Sequence, residues 1–183
     1  MERRKRQKFK EGSIIKIELS ESRLVLGRLL PGYHLCIYDG VFTGVANFPS
    51  NEAIISYDIF LYVRVFKDVI TKGLFEIIGF YDLVQQDIDK IPPHFEQDMT
   101  DIENCVIYYE DGREIEAMPE ECIGLEGPVI WEAASLIDRI NDRFAGKKNA
   151  YEELFKVILS KNDPRYLNPG VRWDFNKEKF CRE

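Results

Sequence analysis

A chain of 183 residues, 45% apolar and 31% charged, is long enough to bury one core and is not the composition of a disordered or fibrous protein. Its formal charge of −7 is uneven: the first ten residues hold six basic residues against one acid, a net of +5, which leaves −12 for the rest. An acidic body is ill suited to gripping phosphates but well suited to meeting a basic protein, so nucleic acid is not the expected partner. Cys36, Cys105, Cys122 and Cys181 are scattered without a CxxC pair, and no apolar run approaches the ~20 residues of a membrane span. Reduced thiols, a cytoplasmic location and no membrane partner are therefore expected.

Residues 1 to 11, with Arg3-Arg4-Lys5-Arg6, form a basic arm expected to be solvated. Ile15, Ile17 and Leu19 alternate with Lys16 and Glu18, the period of a half-buried strand. After the turn Ser20-Glu21-Ser22, Leu24, Leu26 and Leu30 carry a second strand. Gly27 marks a bulge or a close backbone approach there. Pro31-Gly32 is a turn before a third strand over 33–38, closed by Asp39-Gly40. Gly44, Pro49 and Asn51 break up residues 40–58. Strands are predicted again over 59–65 (IFLYVRV) and 75–80 (FEIIGF).

The acidic stretch 81–104, with Pro92-Pro93, reads as a long surface loop. A hairpin is predicted over 105–117, with Asp111-Gly112 as a type I′ turn. Pro128 suits the first position of a helix whose inner stripe is Ile130, Ala133, Ala134, Ile137, Ile140 and Phe144, stopped by Gly146. Asn149 with Glu152 caps a second helix, with Leu154, Phe155, Ile158 and Leu159 facing inward and Pro164 beyond its end. The tail holds Trp173, Phe175 and Phe180, too aromatic for a linker, and is expected to dock. Strands first and helices afterwards predict an α+β fold. The expected architecture is a curled antiparallel sheet, or a small partly open β-barrel, with the C-terminal helices packed on it. The expected organisation is a basic arm (1–11), a β-rich domain (12–145) and a helical, aromatic extension (146–183).

Chemistry-bearing patterns are sparse. The two histidines are His34, in a strand, and His94, in the proline-flanked loop. His94 with Asp98 and Asp101 has no diagnostic metal spacing. His34 and Cys36 share a strand face but lack an orienting third group. No glycine-rich phosphate loop is present, and the acids Asp87, Asp89, Glu96, Asp98, Asp101 and Glu103 read as solvated loop charge. No catalysis, cofactor or metal is expected. Arg23, Arg28, Tyr33 and Tyr38 would be the basic-aromatic platform of an alternative small-barrel adaptor for nucleic acid or a regulatory peptide.

Two stretches carry a resemblance. Residues 8–30 (KFKEGSIIKIELSESRLVLGRLL) give a Lys-x-Gly entry, a strand, a polar turn and a strand ending in Gly27-Arg28. Residues 91–140 give Pro92-Pro93-x-Phe95-x-Gln97-Asp98, the hairpin, and Pro119-Glu120-Glu121-Cys122-x-Gly124-Leu125-Glu126. With LFEIIGF (74–80) between them, this order resembles the immunity protein 26 family of bacterial polymorphic toxin systems over about residues 8–145. The resemblance implies a predominantly β domain that inhibits a toxin encoded beside it, and it carries over no catalytic residue. The expected partner is a basic toxin domain such as a nuclease, whose phosphate-binding groove carboxylates can occupy. The candidate contacts are Asp98, Asp101, Glu103, Glu110, Asp111, Glu114, Glu116 and Glu120, with Tyr108, Tyr109 or Trp131 as aromatic anchors. On a strand, Glu114 and Glu116 share one face.

Overall fold

A computed structural model describes residues 5–20, 22–43, 48–167 and 171–181; Arg3, Arg4, Glu21 and the breaker Gly44 lie outside the described residues. In chain order the elements are β1 (Ser13–Glu18), β2 (Arg23–Leu29), β3 (His34–Tyr38), β4 (Phe42–Thr43), α1 (Asn51–Ile54), β5 (Ile59–Val65), α2 (Lys67–Thr71), β6 (Glu76–Phe80) and α3 (Gln85–Asp89). They continue with β7 (His94–Gln97), β8 (Cys105–Tyr108), β9 (Glu114–Ala117), β10 (Ile130–Trp131) and α4 (Ala133–Phe144). The chain ends with α5 (Ala150–Phe155), α6 (Pro164–Leu167), β11 (Arg172–Asp174) and β12 (Lys179–Cys181). The fold is α+β, as expected. Two compact units form, residues 1–91 with 130–141, and residues 92–129 with 142–183.

The first unit is built on a seven-stranded sheet in the order β10-β5-β3-β2-β1-β6, with β4 paired to β2; only the β10–β5 pair is parallel. The sheet is open, neither curled nor closed into a barrel. Closure needs the end strands to share a ladder, and β10 is a two-residue strand bonded to β5 alone. Ile14, Ile15 and Ile17 are all fully buried, so β1 is covered on both faces rather than half-buried. It lies between β2 and β6, inside the sheet, where alternation gives way to continuous burial. The arm is not simply solvated from Lys5 onward. Gln7 donates to the carbonyls of Ile70 (3.1 Å) and Phe75 (2.7 Å) and accepts from Ile77 N (2.6 Å), standing in for a strand beside β6.

Four corrections concern helices. Short helices α1, α2 and α3 interrupt the strands, and α3 with β7 occupies part of the expected loop 81–104. The helix predicted from Pro128 starts at Ala133, because residues 130–131 pair with Arg64 and Val65 of β5 and Trp131 O accepts from Phe66 N. Of the helices α4, α5 and α6, only α4 falls largely in the main sheet's unit, where Leu136 and Ile140 are buried and Arg23 bonds Asn141 at 3.0 Å; α5 and α6 belong to the second unit. In α5, Asn149 Oδ1 accepts from Tyr151 N and Glu152 N, as its position predicted. The helix nevertheless ends at Phe155, leaving Leu154, Phe155 and Leu159 exposed and Ile158 buried.

The second unit holds the antiparallel sheet β7-β8-β9 and the hairpin β11–β12, where Trp173 packs edge-on against Phe180 and Phe175 is exposed. Its core gathers Phe95, Cys105, Ile107, Cys122 and Val157. The β8–β9 turn departs from type I′. Gly112 alone has a positive φ (85°), with Gly112 N bonded to Tyr109 O and Tyr109 N to Arg113 O. Among the described residues no helix is long and apolar enough to cross a membrane.

Candidate functional site

The register of the small sheet sets two rows of side chains on its outer face. His94, Tyr108 and Glu114 lie opposite one another across β7, β8 and β9, and Glu96, Val106 and Glu116 form the next row. The opposite face carries Phe95, Ile107 and Cys105 into the core. His94 stacks on Tyr108 with ring centroids 5.3 Å apart and planes 18° apart. Desolvation, then the Glu96 and Glu114 carboxylates, push the Tyr108 hydroxyl above its ordinary value. Among the described residues no ion pair engages Glu96, Glu114 or Glu116, so their charge faces outward. The β7 edge is partly covered, since Phe95 N donates to Glu126 O; no strand of the described residues pairs with the β9 edge.

The structure brings Tyr108, Glu114 and Glu116 onto this face and turns several other predicted contacts elsewhere. Asp98 Oδ1 accepts from Thr100 N and Thr100 Oγ1, both at 2.7 Å, and the threonine holds its carboxyl below the ordinary value. Asp101 bonds Asn104 Nδ2 at 3.1 Å, and Glu103 pairs with Lys161 at 3.5 Å. Asp111 is engaged by Arg113, through its backbone N–H and its Nε at 2.6 Å, and Arg113 in turn covers the Tyr109 ring at 4.3 Å. Glu110 sits exposed at the hairpin tip and Glu120 on the helical turn 119–122. Trp131 belongs to the other unit, buried under the Arg139 guanidinium at 4.9 Å, and so is not an anchor on this face.

Burial pushes the Cys36 thiol up to about 11, so it is no thiolate at neutral pH, and its Sγ donates to Arg28 O at 3.6 Å. His34 Nδ1 is 2.9 Å from Pro31 O, which places the proton on Nδ1. The basic-aromatic platform does not form. Arg28 and Tyr38 are buried, while Arg23 and Tyr33 are exposed.

Sequence reasoning passed over two features. Glu96 looked like loop charge, and only the β7–β8 register sets it beside Val106, on the same row as Glu116. Arg28, expected in an exposed basic-aromatic platform, is instead buried. It is 3% exposed, with Nη1 3.2 Å from Asp87 Oδ2 and Nη2 donating to Asp82 O (2.8 Å) and Tyr81 O (3.2 Å). Its Nε–H has no acceptor among the described residues. A buried charged donor left in that state costs on the order of 1–3 kcal/mol.

No family model, no curated protein and no solved structure matches the chain.

Proposed function

We propose that the chain is an immunity protein of a bacterial polymorphic toxin system, which neutralises a basic toxin domain by binding it one to one and covering its substrate groove. The observation that carries this reading is the alignment of Glu96, Glu114 and Glu116 on one exposed sheet face, beside the stacked His94–Tyr108 pair. Opposite charges steer such an encounter and penalise wrong partners, and carboxylates suit cations that otherwise hold phosphate. An aromatic ring next to the carboxylates supplies the rigid, desolvated contact that charge alone lacks. The ordered motifs of residues 8–30 and 91–140 support the same reading through their resemblance to the immunity protein 26 family.

The test is a pull-down with the C-terminal domain of the toxin encoded beside this chain, followed by calorimetry at low and high salt. The expected result is a one-to-one complex of roughly nanomolar affinity that weakens with salt. The double variant Glu114→Lys, Glu116→Lys is expected to weaken it by about a hundredfold or more while leaving the fold intact, since both side chains are exposed. No complex in the micromolar range overturns the reading. A complex indifferent to salt and to charge reversal overturns the choice of surface.

A further inference from the structure

The outer edge of β9 is open. The small sheet runs β7-β8-β9, and among the described residues no strand pairs with the far side of β9. Tyr109 N donates to Arg113 O, and mutually bonded pairs recur at every second residue of an antiparallel ladder, so β8 holds the backbone of Ile115 and Ala117. The N–H and C=O groups of Glu114 and Glu116 therefore point away from β8. Just past the strand Glu121 takes both backbone groups of Met118, its Oε2 accepting from Met118 N at 2.8 Å and its N donating to Met118 O at 3.0 Å. The two glutamates thus carry the free row.

The side chains of this edge differ from face to face. Inside, Phe95, Ile107 and Ile115 form one row across the three strands, and their exposure rises from 3% and 9% to 44%. The apolar face of the sheet runs past its cover. Outside, Glu114 and Glu116 are exposed, with no ion pair among the described residues, while Arg113 at the head of the strand is held by Asp111. Free edges are commonly blunted by a bulge, a proline or an inward charge. β9 has none of these, since its register is unbroken and its inward residues are Ile115 and Ala117. Charge alone guards it, and the guard is selective. A second copy of β9 laid antiparallel about Ile115 would set Glu114 against Glu116 and be repelled, whereas a strand bearing cations is attracted by the same pair.

We infer that β9 accepts a fourth strand from its protein partner. The incoming segment is extended, with basic side chains at two alternate positions beside Glu114 and Glu116 and an apolar side chain between them beside Ile115. Its backbone bonds the free N–H and C=O groups of the two glutamates, and its alternation matches the acidic and apolar faces of the edge. The inference rests on the toxin-binding reading for the identity of the partner and adds how the toxin domain docks: by an extended segment along β9 as well as by charge over the sheet face. The edge lies entirely within the second unit.

The test is amide hydrogen exchange of the full chain, followed by NMR, free and in complex with the toxin domain encoded beside it. The Glu114 and Glu116 amides are expected to exchange nearly unprotected in the free chain and at least about a hundredfold more slowly in the complex, with Ile115 N–H, already bonded to β8, as the internal reference. Glu116→Pro removes an outward N–H and leaves the β8–β9 bonds in place, because an edge strand tolerates proline where its N–H faces solvent. Glu116→Gln removes the charge alone. The proline variant is expected to weaken the complex at least about tenfold more than the glutamine variant, and equal effects overturn the inference in favour of side-chain contact only. Should the proline variant fail to fold, the exchange measurement on the unaltered chain decides. A one-to-one complex in which both amides keep their free rates overturns the inference and leaves the toxin-binding reading standing. If no complex forms, that reading fails, and the edge is judged with an end-capped heptapeptide of alternating lysine and valine. This peptide is expected to slow the same two amides at about 1 mM, and a copy N-methylated along its bonding edge is expected not to. Two amides unmoved by the unmethylated peptide at about 10 mM overturn the inference.

Discussion

The Gln97 side chain bonds the backbone of Ile158 in both directions: its Oε1 accepts from Ile158 N and its Nε2 donates to Ile158 O, each at 2.8 Å. The same Nε2 donates to Ile102 O at 2.7 Å. One amide thus does the work of a neighbouring strand for a segment that α5 has released, and it seats Ile158, which is 3% exposed. Gln97→Ala leaves three backbone groups without their partner and is expected to destabilise the second unit by roughly 2–4 kcal/mol. Gln97→Glu retains an acceptor but no donors, and is expected to destabilise as well. Urea unfolding and hydrogen exchange at Ile158 N–H measure both; a wild-type exchange rate in Gln97→Ala contradicts the clamp.

Much of the β structure was legible because local and tertiary preferences agree there. IFLYVRV and FEIIGF became β5 and β6, and the glycine of Asp111-Gly112 closes the 105–117 hairpin. Where they disagree, the sequence pattern misleads. Ile130 continues a helical stripe on paper, yet Ile130-Trp131 joins β5 in parallel, a partner more than sixty residues away that no local window contains. β7 was hidden among acids because its inward residue is Phe95 and its outward neighbours are His94 and Glu96. The acidic site was therefore legible in Glu114 and Glu116, whose alternation is local, and not in Glu96. Arg28 was illegible for a similar reason. A strand arginine is normally exposed, and only the Asp87 and backbone contacts from distant segments allow it inside.

Gly27 shows a close approach and not a bulge, since the register runs evenly from Ile14↔Arg28 to Glu18↔Leu24. A Cβ there would stand 2.7 Å from Cys36 O and 3.0 Å from Leu35 Cδ1. The first of these is backbone in a central strand and cannot yield without disturbing the β2–β3 ladder. Gly27→Ala is expected to cost about 1–3 kcal/mol despite the smaller unfolded-state entropy of alanine. Chemical denaturation measures it, and a variant as stable as the wild type contradicts the packing argument.

The thiols differ in access and in acidity. Cys36, Cys105 and Cys122 are buried, and burial pushes Cys36 up to about 11 and Cys122 up to about 12, with Cys105 raised as well. Cys181 is half-exposed in β12. An aromatic disulfide reagent at pH 7.5 (about one unit below the free-thiol range) is expected to modify Cys181 first, with the other three reacting only on unfolding. Cys181→Ser removes the fast phase. A second thiol reacting as quickly in native protein means that one of the buried three is reached through local opening.

Acid stability is expected to depend on Asp163 and Arg165. Arg165 Nη1 donates to the carbonyls of Glu153 (2.8 Å) and Lys156 (2.7 Å), which closes the C-terminal end of α5, while Nε and Nη2 grip the two Asp163 oxygens at 3.0 and 2.7 Å. The Arg165 hydrogen bonds hold the Asp163 carboxyl below its ordinary value of 3.8, against the opposing effect of burial. A carboxyl depressed in the folded state binds protons more readily once unfolded. Its stabilisation is therefore fully present above pH 3.8 and is lost as the pH falls through the lower folded value. Asp163→Asn keeps the size and loses the charge. It is expected to lower stability at pH 7 by about 1–2 kcal/mol and to differ progressively less from the wild type as the pH drops below 3.8. Urea unfolding of both proteins from pH 7 down to acid checks this; a gap that stays constant with pH contradicts the charged pair and leaves only its geometry.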